Sequence, residues 1–581
     1  MSGGQTRSRL LIVLGAAVTL ALVTLTCLAI GGVVLSQVVT IGGKRGGTLR
    51  VVAVNPVGQL DPARVQTAFA VSLLRAVQRT PYAFQPRRGM VPDLALGPAQ
   101  ISNDSRRLEI TLRSDVHFAP PVNREVTSAD VAYAIERGFL PSVDSDFAKL
   151  YFGDIEGIDA FRAGKTNHIA GLQTPDDDTL VIVLDQPTAR VAAAALALPI
   201  AAPVPREYAR RFDRRETSTY ARHEVGTGPY RFEPAANGLI PPASANRITL
   251  TRNPNWDSGT DFREAFLSRI QVAPAPGLHS AQREVLEGRD SVSGDFAASG
   301  EALRDALGKR RDQITLTDSG AIRYESLNNR IRPLNDVNVR RAITAAFDRT
   351  AARQVLGGPV VGEIATHWIP PGVPGFDEAG GDAGFDLGFL GNPDGDVAVA
   401  RSFMRAAGYE SGKYDGNARL VAIGPREHEI RETGAIVSQA FRRVGISLRV
   451  RLVGPGVALD RCSVPRTTPA VCLNSGWVKD FDDAQTILQP LFSGKAIARR
   501  ENTNDSLFND TDANHAIRDA TVTTGQADRA EAWASADRTI TALAPALPVF
   551  WDRYPLLSSA DVKGVPDQEL GQWDLSFTSL R

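Results

Sequence analysis

No charged residue occurs between Arg9 and Lys44, and this absence is the most informative feature of the 581-residue chain. Residues 10–39 are rich in Leu, Val, Ile and Ala. About 20 apolar residues suffice to cross the hydrocarbon core of a bilayer as a helix. The run therefore predicts a transmembrane helix over residues 10–39, preceded by a cytoplasmic N-terminus at residues 1–9.

The apolar run also lacks a closing Ala-x-Ala cleavage motif, which favours a retained anchor over a cleaved signal. Arg7 and Arg9 favour a cytoplasmic N-terminus, although Lys44 and Arg45 on the far side weaken that bias. A long export signal that is removed is the alternative. In both cases we expect everything after Lys44 to work outside the cytoplasm. The sequence predicts a single-pass protein of the cell membrane.

Cysteine is scarce, with three residues in the chain. Cys27 lies inside the apolar run without the small preceding residue of a lipoprotein site, so lipid attachment there is disfavoured. Cys462 and Cys472 lie in a Pro/Thr-rich stretch that we predict to be a loop. An oxidising location favours a disulfide between them. A metal site is disfavoured because no nearby His completes a ligand set.

Net charge is absent as well, since Lys plus Arg and Asp plus Glu both number 65. A nucleic-acid-binding protein needs a basic surplus, so we predict no nucleic acid partner. The composition, with 43% hydrophobic and 22% charged residues, is that of a globular protein. Roughly 535 residues follow the anchor, too many for one ordinary core, and we expect two or three lobes.

Catalytic motifs are missing too. Residues 163–166 resemble the end of a phosphate-binding loop, but Asp159 stands where that loop needs a glycine. His428 and Glu429 are not followed by the second His of a zinc protease, and no Gly-x-Ser-x-Gly nucleophile motif is present. The sequence therefore predicts no enzyme, no catalytic residue, no metal site and no cofactor.

The chain does contain alternating strands and helices. Residues 49–54, 108–113 and 446–452 have the β-branched or alternating pattern of strands. Thr127 and Asp130 have the spacing of a capping box at the start of a helix. Strand–helix alternation of this kind predicts an α/β fold with mixed sheets.

Nine segments, in this order, resemble the extracytoplasmic solute-binding proteins of peptide and nickel ABC importers. These are the dipeptide/oligopeptide-binding proteins, or bacterial extracellular solute-binding proteins of family 5. The segments are GGTLRV (46–51), MVPDLA (90–95), LEITLRSDVHF (108–118), VTSADVAYAIERG (126–138), GTGPYRF (226–232), PLNDVNVRRAITAAFDR (333–349), ATHWIPPGVPG (365–375), GWVKDFDD (476–483) and APALPVFWDR (544–553).

This resemblance implies a two-lobed periplasmic-binding-protein-like fold (type II, cluster C), with a mixed β-sheet in each lobe and a two-stranded hinge. Lobe I would comprise residues 46–320 with 549–581, and lobe II residues 321–548. A small-molecule or peptide ligand would be held between the lobes. The partners implied are the permease and ATPase subunits of an ABC importer, and the chain itself would be a monomer.

The resemblance also implies the ligand-binding residues of lobe II. Gly476, Trp477 and Asp480 match the cleft segment, where the aspartate holds the α-ammonium group of a peptide and the tryptophan packs a ligand side chain. A desolvated ammonium group needs a carboxylate partner, which makes this role chemically sound. The alternatives are a helix or turn cap for Asp480 and ordinary core burial for Trp477.

Fewer candidates come from lobe I and the hinge. Val57 and Gly58 match a position where backbone meets the ligand, with a plain turn as the alternative. Phe550 and Trp551 fall at the hinge crossing, where either could face the cleft. Two readings of function stay open beside peptide import: a non-peptide solute such as a metal chelate or an oligosaccharide, and a membrane-tethered sensor or interaction protein without transport.

Overall fold

The computed structural model describes residues 42–242, 247–499 and 502–581. The predicted membrane segment at residues 10–39 lies outside these residues. Within the part of the chain that the structure describes, no helix combines the length and the apolar character that crossing a membrane requires.

Strands and helices alternate along the described chain, as the sequence pattern predicts. In chain order the strands are β1 (Thr48–Ala53), β2 (Tyr82–Gln85), β3 (Gly89–Pro92), β4 (Gln100–Ile101), β5 (Arg107–Thr111), β6 (Leu172–Gln173), β7 (Thr179–Val183), β8 (Tyr230–Phe232), β9 (Thr249–Arg252), β10 (Arg269–Pro274), β11 (Ser291–Ser293), β12 (Ile314–Leu327), β13 (Gly362–Ile364), β14 (Arg419–Pro425), β15 (Ser447–Val453), β16 (Val471–Val478), β17 (Ala546–Leu557), β18 (Val562–Lys563), β19 (Pro566–Asp567), β20 (Gln572–Trp573) and β21 (Ser579–Leu580).

The α-helices of the described residues are mostly short. In chain order they are α1 (Ala68–Val77), α2 (Ser128–Gly138), α3 (Asp146–Tyr151), α4 (Ile158–Arg162), α5 (Ala189–Ala195), α6 (Arg206–Ala209), α7 (Leu278–Glu287), α8 (Gly300–Lys309), α9 (Val337–Ala346), α10 (Arg349–Leu356), α11 (Val397–Ala406), α12 (His428–Arg443), α13 (Pro455–Cys462), α14 (Gln485–Phe492), α15 (Thr511–Val522) and α16 (Gln526–Ala542).

Lobe I contains two larger sheets. A five-stranded sheet in the order β11-β1-β10-β9-β8 packs against α1, and a four-stranded sheet in the order β4-β5-β7-β6 packs against α2. The first sheet is mixed, because β1 pairs in parallel with β10 and β11 while β9 is antiparallel. At the start of α2, the carboxylate of Asp130 accepts the backbone N–H of Thr127 at 2.9 Å, as a capping box requires.

Lobe II is built on one six-stranded sheet in the order β13-β17-β12-β16-β14-β15. The sheet is mixed as well: β14 is parallel to β15 and β16, and β12 is antiparallel to β16 and β17. Apolar clusters cover both of its faces. Its longest strands, β12 and β17, run on beyond the sheet and bring Leu556 into the core around α1.

Cys462 and Cys472 form the predicted disulfide, with their Cα atoms 6.1 Å apart. The prediction that both lie in a loop is wrong. Cys462 is the last residue of α13 and Cys472 lies in β16. The Pro and Thr residues on which the loop prediction depended occupy only the turn between these two elements. The bond therefore ties a short helix to a central strand of lobe II.

We expect the double substitution Cys462→Ser, Cys472→Ser to lower the free energy of unfolding by about 2.5–3 kcal/mol, because the bond closes a short loop in the unfolded chain. Urea unfolding would measure the difference. Wild-type protein with a reductant serves as the control and should match the variant. Free thiols at Cys462 and Cys472 in non-reduced wild-type protein would contradict the prediction.

Candidate functional site

The segment GWVKDFDD begins in the last residues of strand β16 and lies at the junction of the lobes. Gly476 and Trp477 pair with Arg323 and Ile322 of β12. Just before them the register shifts, and Asn474 adopts a left-handed backbone conformation with φ 62°. Such a bulge bends the strand and redirects the residues that follow. The segment therefore leaves the sheet toward lobe I.

Asp480 lies where the two lobes meet. The hydroxyl of Tyr151, the last residue of α3 in lobe I, donates a hydrogen bond to its carboxylate. The next residue, Phe481, is buried in the apolar cluster between the four-stranded sheet and α2. Its ring centroid lies 5.1 Å from that of Tyr151. A loop of lobe II is thus inserted into lobe I at Asp480.

Burial raises the pKa of Asp480 to about 7. The hydrogen bond from Tyr151 and the charge of Arg75 lower this pKa, but by less than burial raises it. Arg75 is itself engaged in an ion pair with Asp567. Desolvation therefore outweighs these favourable interactions, and the ionised carboxylate is destabilised relative to an exposed aspartate. A cationic group brought against Asp480 would relieve that penalty.

The other acidic residues of the segment have partners of their own. Asp482 is exposed and pairs with Lys479, whose Nζ also lies 2.9 Å from a carboxylate oxygen of Glu569 in lobe I. Asp483 accepts the backbone N–H of Gln485 at 2.8 Å, at the start of α14. Asp483 therefore caps the start of α14.

Trp477 is partly buried on the lobe II side of the junction. Its indole N–H donates to the carbonyl of Thr486 at 2.7 Å, and the ring packs against the apolar cluster on one face of the six-stranded sheet. Phe550 and Trp551 of β17 are 2% and 3% exposed and belong to the clusters on opposite faces of that sheet. In this structure both are core residues.

Val57 and Gly58 follow β1 in lobe I. Val57 is buried and its carbonyl accepts the hydroxyl of Thr67 at 3.0 Å. Gly58 has φ +92°, a conformation that favours glycine. The chain then reaches Asp61, whose carboxylate is held by Arg137 of α2 at 2.6 and 2.7 Å. These contacts fix the segment within lobe I.

The sequence interpretation missed Tyr151 and a buried polar group beside Gly476. Arg323 forms an ion pair with Asp552 at 2.9 Å and donates to the side-chain carbonyl of Asn474 at 3.0 Å. Glu325, on the same face of β12, accepts the backbone N–H of Asn474 at 2.8 Å, and burial raises its pKa to about 8. Two charged residues two apart in the mostly apolar second half of β12 were the available signal.

Metal binding finds no support in residues 42–242, 247–499 and 502–581, where no group of three or more His, Cys, Asp or Glu side chains could hold an ion. The site offers buried carboxyl groups, an aromatic side chain and a junction between two lobes. Such an arrangement can bind and enclose a solute.

Several curated proteins align with most of the chain. A probable deoxycholate-binding periplasmic protein of Escherichia coli (strain K12) is 23% identical over 515 residues, which cover 88% of this chain and 89% of that protein. The oligopeptide-binding protein OppA of Bacillus subtilis (strain 168) is 21% identical over 494 residues, covering 83% and 82%.

Solved structures show the same two-lobed α/β fold. The clavulanic acid biosynthesis oligopeptide binding protein 2 superposes with a TM-score of 0.78 at 27% identity, covering 92% of this chain and 96% of that chain. The family model described as bacterial extracellular solute-binding proteins, family 5 middle, matches residues 89–499. This match spans more than half of the sequence, and the chain belongs to the bacterial extracellular solute-binding proteins of family 5.

Proposed function

We propose that the chain captures a peptide-like solute between its lobes and delivers it to the permease of an ABC importer. The observation that carries this proposal is the position of Asp480, a desolvated carboxylate on a lobe II loop that contacts lobe I through Tyr151. A ligand bound there contacts both lobes, and only such contacts can favour the closed state over the open one.

The α-ammonium group of a peptide is the cation that best suits Asp480. Charge-assisted hydrogen bonds to a buried carboxylate are roughly twice as strong as neutral ones. Trp477, partly exposed beside the same loop, supplies an aromatic surface for a ligand side chain. In this proposal Gly476, Val57 and Gly58 contribute backbone groups, and Phe550 and Trp551 support the site from the core.

A non-peptide solute is the second candidate, because one relative is named for binding deoxycholate. Deoxycholate is an anion at neutral pH, and a second carboxylate beside Asp480 would raise the electrostatic cost. The charge at this position therefore favours a cationic solute over an anionic one. A membrane-tethered sensor without transport would use the same site and differ only in its partners.

Mass spectrometry of the solute that co-purifies with the protein tests the proposal. We expect short peptides with free N-termini. Synthetic copies should bind in calorimetry, and N-acetylated copies should bind at least about tenfold more weakly, since acetylation removes the charge that pairs with Asp480. Equal binding of both forms would contradict the role of the ammonium group.

The lobe boundaries and the hinge are part of the proposal. Strands β12 and β17 pair from Ile314↔Leu557 to Ser326↔Ala546, and their register shifts between Asp318 and Ala321. Residues 321–323 and 550–552 also pair with β16 and β13, whereas residues 314–318 and 553–557 pair with each other, so the two-stranded stretch begins at this shift, at the lobe I end of the proposed hinge. We place the hinge near residues 319–323 and 548–551, between lobe I (46–320 with 549–581) and lobe II (321–548), in a chain that acts as a monomer.

Membrane anchoring by residues 10–39 also belongs to the proposal, with the charge-free run as its support. We expect the mature protein to retain residues 1–43, because no Ala-x-Ala motif follows the run. N-terminal sequencing of protein extracted from native membranes would decide. A mature start between residues 37 and 47 would show instead that the run is a cleaved export signal.

A further inference from the structure

A basic groove lies on lobe II between helix α12 and strand β15. Its volume is about 530 Å³. The lining residues are arginines at the ends and small or apolar side chains between them: Arg426, Arg431, Ala435, Ser438, Arg442, Val450 and Leu452. None of them belongs to the junction around Asp480.

The groove follows one face of α12. The four lining residues of α12 are spaced four, three and four apart, so they share one face of the helix. Arg431 and Arg442 are eleven residues apart, which corresponds to about 16 Å along the axis. Ser438 donates to the carbonyl of Leu448 at 3.0 Å, which fixes the helix beside β15. About five residues of extended chain cover the same length.

The groove is lined by three arginines and by no acidic side chain. Arg426, Arg431 and Arg442 are exposed, and none of them forms an ion pair with another described residue. Glu427, Glu429 and Glu432 lie near the N-terminal end of α12 outside the lining, and a carboxylate oxygen of Glu432 is 3.2 Å from Nε2 of His428. The whole chain has no net charge. The local surplus therefore makes this surface attractive to anions.

Strand β15 is also an open sheet edge. Among the described residues it pairs with β14 only and ends the six-stranded sheet. An open edge offers backbone groups to an additional strand. Arg449 and Arg451 alternate with Val450 and Leu452 and are exposed, so two copies of this edge would repel each other. The edge therefore disfavours self-association.

We infer that this groove binds an extended acidic segment of a partner protein, which lies along β15 with carboxylates on the terminal arginines and an apolar residue over Val450 and Leu452. Charge complementarity and the open edge both select this occupant. A compact anion would satisfy the charges and leave the apolar floor and the strand edge unused.

The probe is a fluorescent, N-acetylated peptide of sequence Glu-Thr-Val-Thr-Glu, in which Val and both Glu side chains lie on one face of an extended strand. It is titrated by anisotropy into the full-length protein in a neutral detergent. We expect saturable binding that weakens with added NaCl. The variant R431E/R442E should lose at least about tenfold in affinity, since two attractive pairs become repulsive. The variant R449E/R451E carries the same charge change on the opposite face of β15 and should keep most of the affinity.

Two further measurements distinguish binding in this groove from binding at the lobe junction or to a membrane surface. The variant D480N should bind the probe as wild type does, and a change in affinity there would place the peptide at the lobe junction and overturn the inference. A probe N-methylated at Val should bind more weakly, because it cannot complete the strand pairing. Equal losses in both arginine variants, or binding to anionic phosphatidylglycerol vesicles with none to the peptide, would also overturn it.

Discussion

Replacing Asp480 with Asn is expected to weaken ligand binding by about 2–5 kcal/mol, the range found when one partner of a buried charge pair is removed. The amide keeps the shape of the carboxylate and can still accept the hydroxyl of Tyr151, so the contact between the lobes is retained. Calorimetry with the co-purifying solute, identified by mass spectrometry, measures the loss.

Asp482→Asn is the matched control for this substitution. Asp482 lies two residues away, its side chain is 56% exposed, and it pairs with Lys479 at the surface. Exposed pairs contribute about 0–1 kcal/mol, so binding should hardly change. Asp483 is a poorer control because it caps α14 and pairs with Arg529. Equal, small effects of Asp480→Asn and Asp482→Asn would exclude an ammonium partner at Asp480.

The same substitution should change the pH dependence of stability. Burial raises the pKa of Asp480 to about 7 in the folded chain, above its value in the unfolded chain. At a pH between the unfolded-state and folded-state pKa values, folding is accompanied by the uptake of a proton. The free energy of unfolding therefore falls as the pH rises through about 7. Asp480→Asn should consequently be more stable than wild type at pH 8 and similar to it at pH 4.

Ligand affinity should follow the opposite course. An ammonium group binds the ionised carboxylate, so the affinity of wild type should rise between pH 5.5 and 7.5 as Asp480 loses its proton. The Asn variant should show a flat profile over this range. A wild-type profile that is equally flat would mean that the ligand is not held through this carboxylate.

The regular elements of this fold were predictable because their signals are local. Residues 446–452 alternate apolar and polar, and the structure has β15 there. The capping spacing at Thr127 marks the beginning of α2. Alternation and capping depend on neighbours within one turn or one strand, so a single sequence contains the necessary information.

The contacts at the site were not predictable in this way. Tyr151 and Asp480 are 329 residues apart in sequence, and nothing in the short helix α3 signals such a partner. The hydrophobic run around Phe550 and Trp551 could not reveal its orientation either, because β17 lies inside a sheet covered on both faces. A central strand is apolar on both sides, which removes the alternation that identifies an exposed face.

The second large effect is expected at Arg137, which links two buried carboxylates in lobe I. Arg137 is 1% exposed and donates to Asp61 at 2.6 and 2.7 Å and to Asp213 at 2.8 and 2.9 Å. Arg137→Met would leave both carboxylates buried without their cation. We expect the free energy of unfolding at pH 7 to fall by about 3–5 kcal/mol, measured by urea unfolding.

Arg124→Met provides the comparison, since Arg124 also links two carboxylates, those of Asp130 and Glu207, but is 37% exposed. Glu207 is 61% exposed and water can solvate it, and the buried Asp130 keeps its hydrogen bonds from Thr127. This variant should therefore lose less stability than Arg137→Met. Adding Asp61→Asn to Arg137→Met should restore part of the stability, because it removes one uncompensated charge. Equal losses of stability in the two arginine variants would contradict a special role for the buried network of Arg137.

Solute binding should weaken in Arg137→Met as well, because the contact of Arg137 with Asp61 fixes the segment of Val57 and Gly58 against α2.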